Sequence, residues 1–168
     1  MGDKCGWDAV NEIRKRNAPP TILKDFGEYM DMNIKIIHSV RNPFDNISSW
    51  LDSPKYQRMY REEGTLYRRM IRRYRRFYET AEELMKHHDV FNVYNEELCL
   101  NTRDVLLDLA DFLEIEPVKG WLNNAVKAVN DNPNRRSERR NWPAPYTKRI
   151  QGIIEEFPSL QHYHENSK

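Results

Sequence analysis

The junction between a β-like segment and a helix start constrains the fold of this chain more than any other feature. Residues 34–40 are mostly apolar and β-favouring, and they end abruptly at the Arg-Asn-Pro of positions 41–43. Asn is a good helix N-cap, Pro suits the first helical position, and Asp45 stands three residues after the cap. The sequence therefore predicts a strand over 34–40 that leads directly into a helix over 43–51.

The chemistry of this junction suits an anion. A helix N-terminus leaves several backbone N–H groups without intrahelical partners, and the helix dipole favours negative charge there. Arg41 stands at the junction and can grip a phosphate through two parallel hydrogen bonds. Ser49 lies four residues after Asp45 on the same helical face and can add a hydroxyl. We interpret the junction as a phosphate-holding corner; the alternative is an ordinary strand-to-helix turn with a solvent-facing arginine.

The remaining pattern predicts a helix-rich α/β chain with few parallel strands. The near-continuous apolar run of the first strand suits burial on both faces of a parallel sheet, and a second strand is predicted at 90–94. Thr102 is predicted to cap a helix, whereas the polar stretch 130–145 is predicted to be a mobile loop. Apolar periodicity predicts helices at 7–16, 21–32, 43–51, 60–86, 103–113, 117–128 and 146–157. No repeat or low-complexity linker interrupts the chain, so we expect a single domain over 1–168.

Composition narrows the classes of function. The net charge is only +1, which gives no global field that would favour nucleic acid or a membrane surface. No apolar run approaches the roughly 18 residues of a membrane span, and two cysteines are too few for a disulfide framework. The compartment stays unknown. We expect the cytoplasm if this chain is the complete gene product, and a lumenal site if an amino-terminal part has been lost.

Three ordered motifs resemble one known family. The run V-R-N-P-x-D-x-x-x-S at 40–49 resembles the 3′-phosphate-binding segment of sulfotransferases that use 3′-phosphoadenosine-5′-phosphosulfate (PAPS). The segment 90–115 resembles that family's next strand, turn and helix. The segment 135–142 has the spacing of its R-K-G-x-x-x-x-W loop, with Ser137 in place of Gly. The resemblance implies a partial P-loop-type, three-layer α/β fold and PAPS as co-substrate, without a metal.

The resemblance also implies roles for individual residues. In that family the residues matching Arg41 and Ser49 hold the 3′-phosphate of the nucleotide. In that family a loop closes over the same phosphate. The match to this loop implies that Arg135, Arg136 and the backbone of Ser137 also contact the phosphate. The element G-D-K at 2–4 resembles the segment whose lysine contacts the transferring sulfuryl group, which makes Lys4 the matching candidate. A general base is also expected for such a reaction, and the sequence offers only Asp3 and, less convincingly, His38.

One expected element has no match in these residues. Members of the family carry a glycine- and serine-rich loop, ending in S-G-T-T or similar, that cradles the 5′-phosphosulfate. The chain holds neither that motif nor G-x-x-x-x-G-K-[ST], and its six glycines are not clustered. We therefore expect a carboxyl-terminal sulfotransferase portion that is incomplete as an isolated chain. Either it is a truncated product, or a partner chain or a degenerate segment supplies the missing anion site.

Two other functions stay open on the sequence. The chain could be a non-catalytic module that binds 3′-phosphoadenosine 5′-phosphate (PAP) or another anion, or that serves only as a partner.

More distantly, the run 68–76 places six arginines in nine residues, which is typical of a solvated helix face. The same run could dock a sulfate- or carboxylate-bearing acceptor such as an acidic glycan. With the tyrosines at 67, 74 and 78 it could also bind a nucleic-acid backbone. The acceptor, a hydroxyl or an amine, cannot be identified from the sequence.

Overall fold

The computed structural model describes residues 6–129, 133 and 135–164. Two strands form its sheet, β1 (Lys35–Val40) and β2 (Asp89–Tyr94). The α-helices are α1 (Gly6–Lys15), α2 (Ile22–Met30), α3 (Pro43–Leu51), α4 (Pro54–Met59), α5 (Glu63–Met85), α6 (Asn95–Leu100), α7 (Thr102–Phe112), α8 (Trp121–Ala128) and α9 (Ala144–Glu156). Short 3₁₀ helices span Arg136–Arg139 and Pro158–Tyr163.

The sheet is parallel, as the sequence predicted. Lys35 lies opposite Asp89, and the register continues to the pair Val40 and Tyr94. Parallel strands need a long crossover connection, and here α3, α4 and α5 provide it. Both strands therefore end at the same edge of the sheet, so the start of α3 and the start of α6 lie side by side. This arrangement is what positions the corner after β1.

Helices pack against both faces of the sheet, which confirms a helix-rich α/β fold. On one face, the His38 ring of β1 lies 5.7 Å from the Tyr78 ring of α5, measured between centroids. On the other face, Phe91 of β2 lies 5.4 Å from Phe112 of α7. The order of layers is thus helix, sheet, helix.

The prediction that β1 is buried on both faces is wrong. Ile37 is 49% exposed, and Ser39, two residues later on the same face, is also exposed. The reason is the width of the sheet. In the described part of the chain β1 has a hydrogen-bonded neighbour on one side only, and α7 packs over β2 rather than over the middle of β1.

The hydrophobic core is built around α5. Its predicted apolar stripe faces inward, and Met70 and Tyr74 are each only 1% exposed. Ile47 of α3, Ile150 of α9 and Leu160 of the last 3₁₀ helix are completely buried beside it. Burying each such aliphatic side chain stabilises a fold by roughly 1.5–3 kcal/mol. The corner after β1 therefore rests against this core, to which Val40 and Ile47 belong.

The prediction that Thr102 is the N-cap of α7 is wrong. Thr102 is the first residue inside α7, it is buried, and its hydroxyl donates to the carbonyl oxygen of Leu98 at 2.7 Å. The N-cap is Asn101, which makes no side-chain capping bond. The cause is α6, because residues that were expected to form a turn make a short helix whose carbonyl captures the threonine hydroxyl.

Other helix boundaries move by a few residues. The helix predicted over 21–32 ends at Met30, because Asp31 takes a left-handed conformation with φ 50°. The helix predicted from 117 begins at Trp121, after Gly120 at φ 84°. Within the described residues, no helix combines the length and apolarity that crossing a bilayer requires.

His38 is a packed, hydrogen-bonded residue. Its side chain is only 8% exposed, and Nδ1 lies 3.0 Å from Oδ1 of Asn92. Burial lowers the pKa of the imidazole below its ordinary value of 6.5, and the contact with Asn92 offsets this only in part. The folded chain therefore binds a proton at His38 less readily than the unfolded chain does.

This burial predicts how stability depends on pH. The contribution of His38 is fully present above its unfolded pKa of about 6.5, and it is lost as the pH falls toward the lowered folded pKa. We expect the melting temperature to drop between about pH 7.5 and about pH 5.5, and to drop less in His38→Gln, which cannot titrate. Thermal denaturation, monitored by circular dichroism across this pH range, gives the melting temperatures of the two proteins. An equal drop in the two proteins would contradict the prediction.

Candidate functional site

The corner between β1 and α3 has the predicted helix cap. Asn42 is the N-cap of α3, and its Oδ1 accepts a hydrogen bond from the backbone N–H of Phe44 at 2.9 Å. Pro43 occupies the first helical position and is buried. Arg41 lies half-buried between the end of the strand and this cap. A fixed positive charge therefore stands at the positive end of a helix, which is an arrangement that favours an anion.

Some of the backbone N–H groups that were expected to bind an anion at this corner already have partners within the chain. The backbone N–H of Asn42 donates to Oε1 of Glu96 at 3.2 Å, and the N–H of Phe44 is satisfied by the cap. Glu96 also accepts from the hydroxyl of Tyr163, which lies 3.5 Å from the carbonyl oxygen of Val40. Side chains rather than the backbone must therefore supply much of any anion contact here.

Burial at this edge changes the acidity of Tyr163. Desolvation raises the pKa of its hydroxyl, and the hydrogen bond to the Glu96 carboxylate raises it further. The hydroxyl therefore stays protonated and keeps donating to Glu96 at neutral pH. This contact ties the last 3₁₀ helix to the ends of both strands.

Asp45 joins the corner to a distant loop. Its side chain is 3% exposed, and Oδ1 accepts a hydrogen bond from the backbone N–H of Ser137 at 2.6 Å. A carboxylate in the first turn of a helix is favoured by the helix dipole, and hydrogen bonds to a charged acceptor are the stronger kind. Residues 135–142, which we call the arginine loop, are therefore docked against the first turn of α3.

Contacts of two further residues, Arg140 and Trp142, fix the arginine loop. Arg140 forms an ion pair with Asp52, directly after α3, and its Nη1 donates to the hydroxyl of Tyr67 at 3.0 Å. The ring of Trp142 lies edge-on to Phe44 at 5.4 Å and to Tyr67 at 5.6 Å, measured between centroids. The sequence predicted a mobile loop over 130–145. In the described residues this segment instead includes a 3₁₀ helix held by α3 and α5, so that prediction is wrong for 135–142.

The structure brings some of the predicted site residues together. Ser49 is half-buried and follows Asp45 by one helical turn, so the serine lies on the face of α3 that receives the arginine loop. Ser137 is half-buried on that same face, with its N–H bound to Asp45. Arg41 lies at the amino-terminal end of the same helix. The structure thus places Arg41 at the start of α3 and Ser49 about two turns further along the same helix.

The other predicted site residues are either exposed or have side chains that the structure does not describe. Arg135 is exposed, and its Nη1 lies 3.4 Å from Oε1 of Glu138. The backbone of Arg136 begins the 3₁₀ helix, but its side chain lies outside what the structure describes, as do Asp3 and Lys4. Among the described residues, no group of three His, Cys, Asp or Glu side chains could hold a metal ion.

Sequence reasoning missed the residues that hold the corner together. Asp45 was recognised only as a helix-start residue, and Glu96 and Tyr163 were not recognised as members of the site. The sequence signal for Asp45 is a carboxylate three residues after a cap, which any stable helix start can carry. Only the fold shows that this carboxylate receives the N–H of Ser137.

Comparison with known proteins gives one family match. The model of the family described as sulfotransferase domain matches residues 13–157, which include β1, α3 and the arginine loop. No curated protein and no solved structure matches the chain significantly.

The bond from Ser137 to Asp45 predicts that the arginine loop opens when Asp45 is removed. Hydrogen bonds to charged groups contribute roughly 1.5–3 kcal/mol. We therefore expect trypsin to cleave at residues 135–140 roughly tenfold faster or more in Asp45→Ala. The matched control is Asp104→Ala, an exposed carboxylate in the first turn of α7. Limited proteolysis with mass spectrometry identifies the cleaved bonds and measures the rate of cleavage. Equal cleavage rates in the two variants would contradict the docking role.

Proposed function

The chain belongs to the sulfotransferase domain family, and we propose that it binds the 3′-phosphate of PAPS or PAP at the corner after β1. In this proposal the guanidinium of Arg41 and the hydroxyl of Ser49 grip the phosphate. Arg135 and Arg136 approach it from the arginine loop. The reaction served is transfer of a sulfuryl group from PAPS to a hydroxyl or amine acceptor.

One observation carries the proposal: the arginine loop is docked, through Asp45, on the face of α3 that carries Ser49. In this proposal a phosphate beside Ser49 meets the serine hydroxyl, and the long side chain of Arg41 reaches it from the start of the helix. This donor set fits a dianionic monoester, because Arg offers paired N–H groups and the hydroxyl donates once. The residues present thus fit a 3′-phosphate.

Ser137 enters the proposal in a modified role. The resemblance implied that its backbone N–H contacts the phosphate, but this N–H donates to Asp45. A phosphate would reach the group only in competition with a buried carboxylate. We therefore propose that Ser137 acts as a positioning residue, which holds the loop so that the side chains of Arg135 and Arg136 can reach the anion.

The chemistry proposed for the chain is positioning and charge stabilisation. When bound, PAPS supplies the sulfuryl group, whose bond to the leaving phosphate oxygen breaks as the bond to the acceptor oxygen or nitrogen forms. Lys4 is proposed to stabilise charge on the leaving oxygen, and Asp3 to take the proton from the acceptor. Arg41 and Ser49 keep the nucleotide in line for this displacement. His38 is a weak candidate for the base, because burial holds its pKa low and its ring packs against Tyr78.

A non-catalytic role is the second candidate. Its support is the absence of a glycine-rich phosphate loop from the 168 residues. Such loops hold the transferring group through converging backbone N–H groups. Without one, the corner could retain PAP while the transferring group stays poorly positioned. A partner chain that supplies the loop would restore transfer.

Binding of PAP tests the proposed phosphate site. We expect Arg41→Ala to weaken the affinity roughly tenfold or more, since it removes a charged partner worth about 1.5–3 kcal/mol. Ser49→Ala should cost less, because a neutral hydroxyl contributes about 1 kcal/mol. Isothermal titration calorimetry measures both. The control is Arg103→Ala, an exposed arginine on α7 that donates to Asn123. Unchanged affinity in Arg41→Ala would contradict the site.

Turnover tests the catalytic part separately. We expect little or no transfer of labelled sulfate from PAPS by the isolated chain, whichever hydroxyl or amine acceptor is offered. The reason is the missing glycine-rich loop. If PAP binds while transfer stays absent, the corner is a nucleotide site without the rest of the machinery. Robust turnover by this chain alone would show the prediction to be wrong.

A further inference from the structure

Two side chains contact the backbone on either side of Arg41. The peptide group before Arg41 carries the carbonyl oxygen of Val40, and the Tyr163 hydroxyl lies 3.5 Å from this oxygen. The peptide group after Arg41 carries the N–H of Asn42, which donates to Oε1 of Glu96 at 3.2 Å. The Tyr163 hydroxyl also donates to Oε2 of Glu96. Glu96 and Tyr163 therefore form one hydrogen-bonded pair, which we call the Arg41 clamp.

The two peptide groups that flank a residue determine the direction in which its side chain leaves the backbone. Each peptide group is planar, so the backbone conformation of Arg41 is set by the rotation of these two planes about its Cα atom. When both planes are held, the direction of the Cα–Cβ bond is fixed. The arginine side chain then starts from a fixed point, although it is long and has several rotatable bonds. A binding group needs such support from residues that do not touch the ligand.

The Arg41 clamp is itself anchored in the fold. Glu96 lies in the first turn of α6, which follows β2 directly. Tyr163 is 3% exposed, and its ring lies edge-on to the ring of Tyr94 at 6.0 Å between centroids. Leu160, in the same 3₁₀ helix, is completely buried. The clamp is thus held by the second strand and by the core, and it transmits their rigidity to the backbone of Arg41.

The charge of Glu96 makes this hold stronger. Hydrogen bonds to an ionised acceptor are roughly twice as strong as bonds between neutral groups. Each carboxylate oxygen of Glu96 accepts from a different donor, Oε1 from the Asn42 N–H and Oε2 from the Tyr163 hydroxyl. One side chain therefore joins the start of α3 to the last 3₁₀ helix, which lies far along the chain.

We propose that Glu96 and Tyr163 are positioning residues for Arg41. They hold its backbone so that the guanidinium points to the anion site of the corner after β1. The effect on nucleotide binding rests on the proposed function, because it requires that Arg41 binds the 3′-phosphate of PAP. The hold on the Arg41 backbone does not rest on it. The last 3₁₀ helix thereby influences nucleotide affinity without contacting the nucleotide.

PAP affinity gives the first test. Tyr163→Phe removes the hydroxyl and keeps the ring that packs on Tyr94. The matched control is Tyr146→Phe, which removes a hydroxyl 3.3 Å from the carbonyl oxygen of Gly64. Calorimetry is run well below both melting temperatures, so that both variants are folded. We expect the affinity to fall about three- to tenfold in Tyr163→Phe, and less than about twofold in the control.

A double-mutant cycle with Arg41→Ala distinguishes positioning from a general structural role. If the clamp acts through the guanidinium, Tyr163→Phe has little left to disturb once that group is gone. We therefore expect it to weaken PAP binding by less than about twofold in the Arg41→Ala background. An equal loss of affinity in the two backgrounds would show that Tyr163 acts independently of Arg41, and the proposal would fail.

A second measurement needs no nucleotide. Relaxation of ¹⁵N in the ligand-free chain gives the order parameters of the Arg41 and Asn42 amides. We expect values near about 0.85 in the unmodified chain, and a decrease of about 0.1 or more in both Tyr163→Phe and Glu96→Ala. The matched control is Glu97→Ala, which removes a carboxylate from the same turn of α6 and should leave these values unchanged.

The two measurements separate failure of the clamp from failure of the nucleotide site. If the unmodified chain binds no PAP, the proposed function is wrong, and the order parameters still decide whether the clamp holds Arg41. If PAP binds but the order parameters of the Arg41 and Asn42 amides are the same in Tyr163→Phe, Glu96→Ala and the unmodified chain, the clamp is overturned and the nucleotide site stands.

Discussion

The hydrogen bond from the backbone N–H of Ser137 to the buried carboxylate of Asp45 holds the candidate site together. Without it, the corner after β1 would be one helix start among many, with an arginine beside it. With it, a loop rich in arginine lies against the helix that carries Ser49. The ion pair of Arg140 with Asp52 and the packing of Trp142 on Phe44 secure the same loop at its other end.

The topology explains why this corner is well placed. Parallel strands β1 and β2 end at one edge, so the chain turns into α3 and into α6 next to each other. Glu96 in α6 then accepts from the N–H of Asn42 and from the hydroxyl of Tyr163. The corner is thus braced by the second strand, by the last 3₁₀ helix and by the core under α5. Rigid support of this kind is what a site needs to hold an anion in a fixed position.

Local features of the sequence predicted local features of the fold. The cap at Asn42, the span of α3 and the buried stripe of α5 all follow from residues close to one another in the chain. Contacts between distant residues could not be predicted in this way. Nothing near Ser137 indicates that Asp45 will receive its N–H. The exposure of Ile37 likewise depends on how many strands flank β1.

A crystal structure of the chain with bound PAP tests the central claim most directly. We expect the 3′-phosphate at the corner after β1, with its oxygens within about 3 Å of the Arg41 guanidinium and the Ser49 hydroxyl. Residues 135–142 should remain docked on α3 beside it. A nucleotide bound elsewhere, or Arg41 and Ser49 on separate surfaces with no anion between them, would contradict the claim.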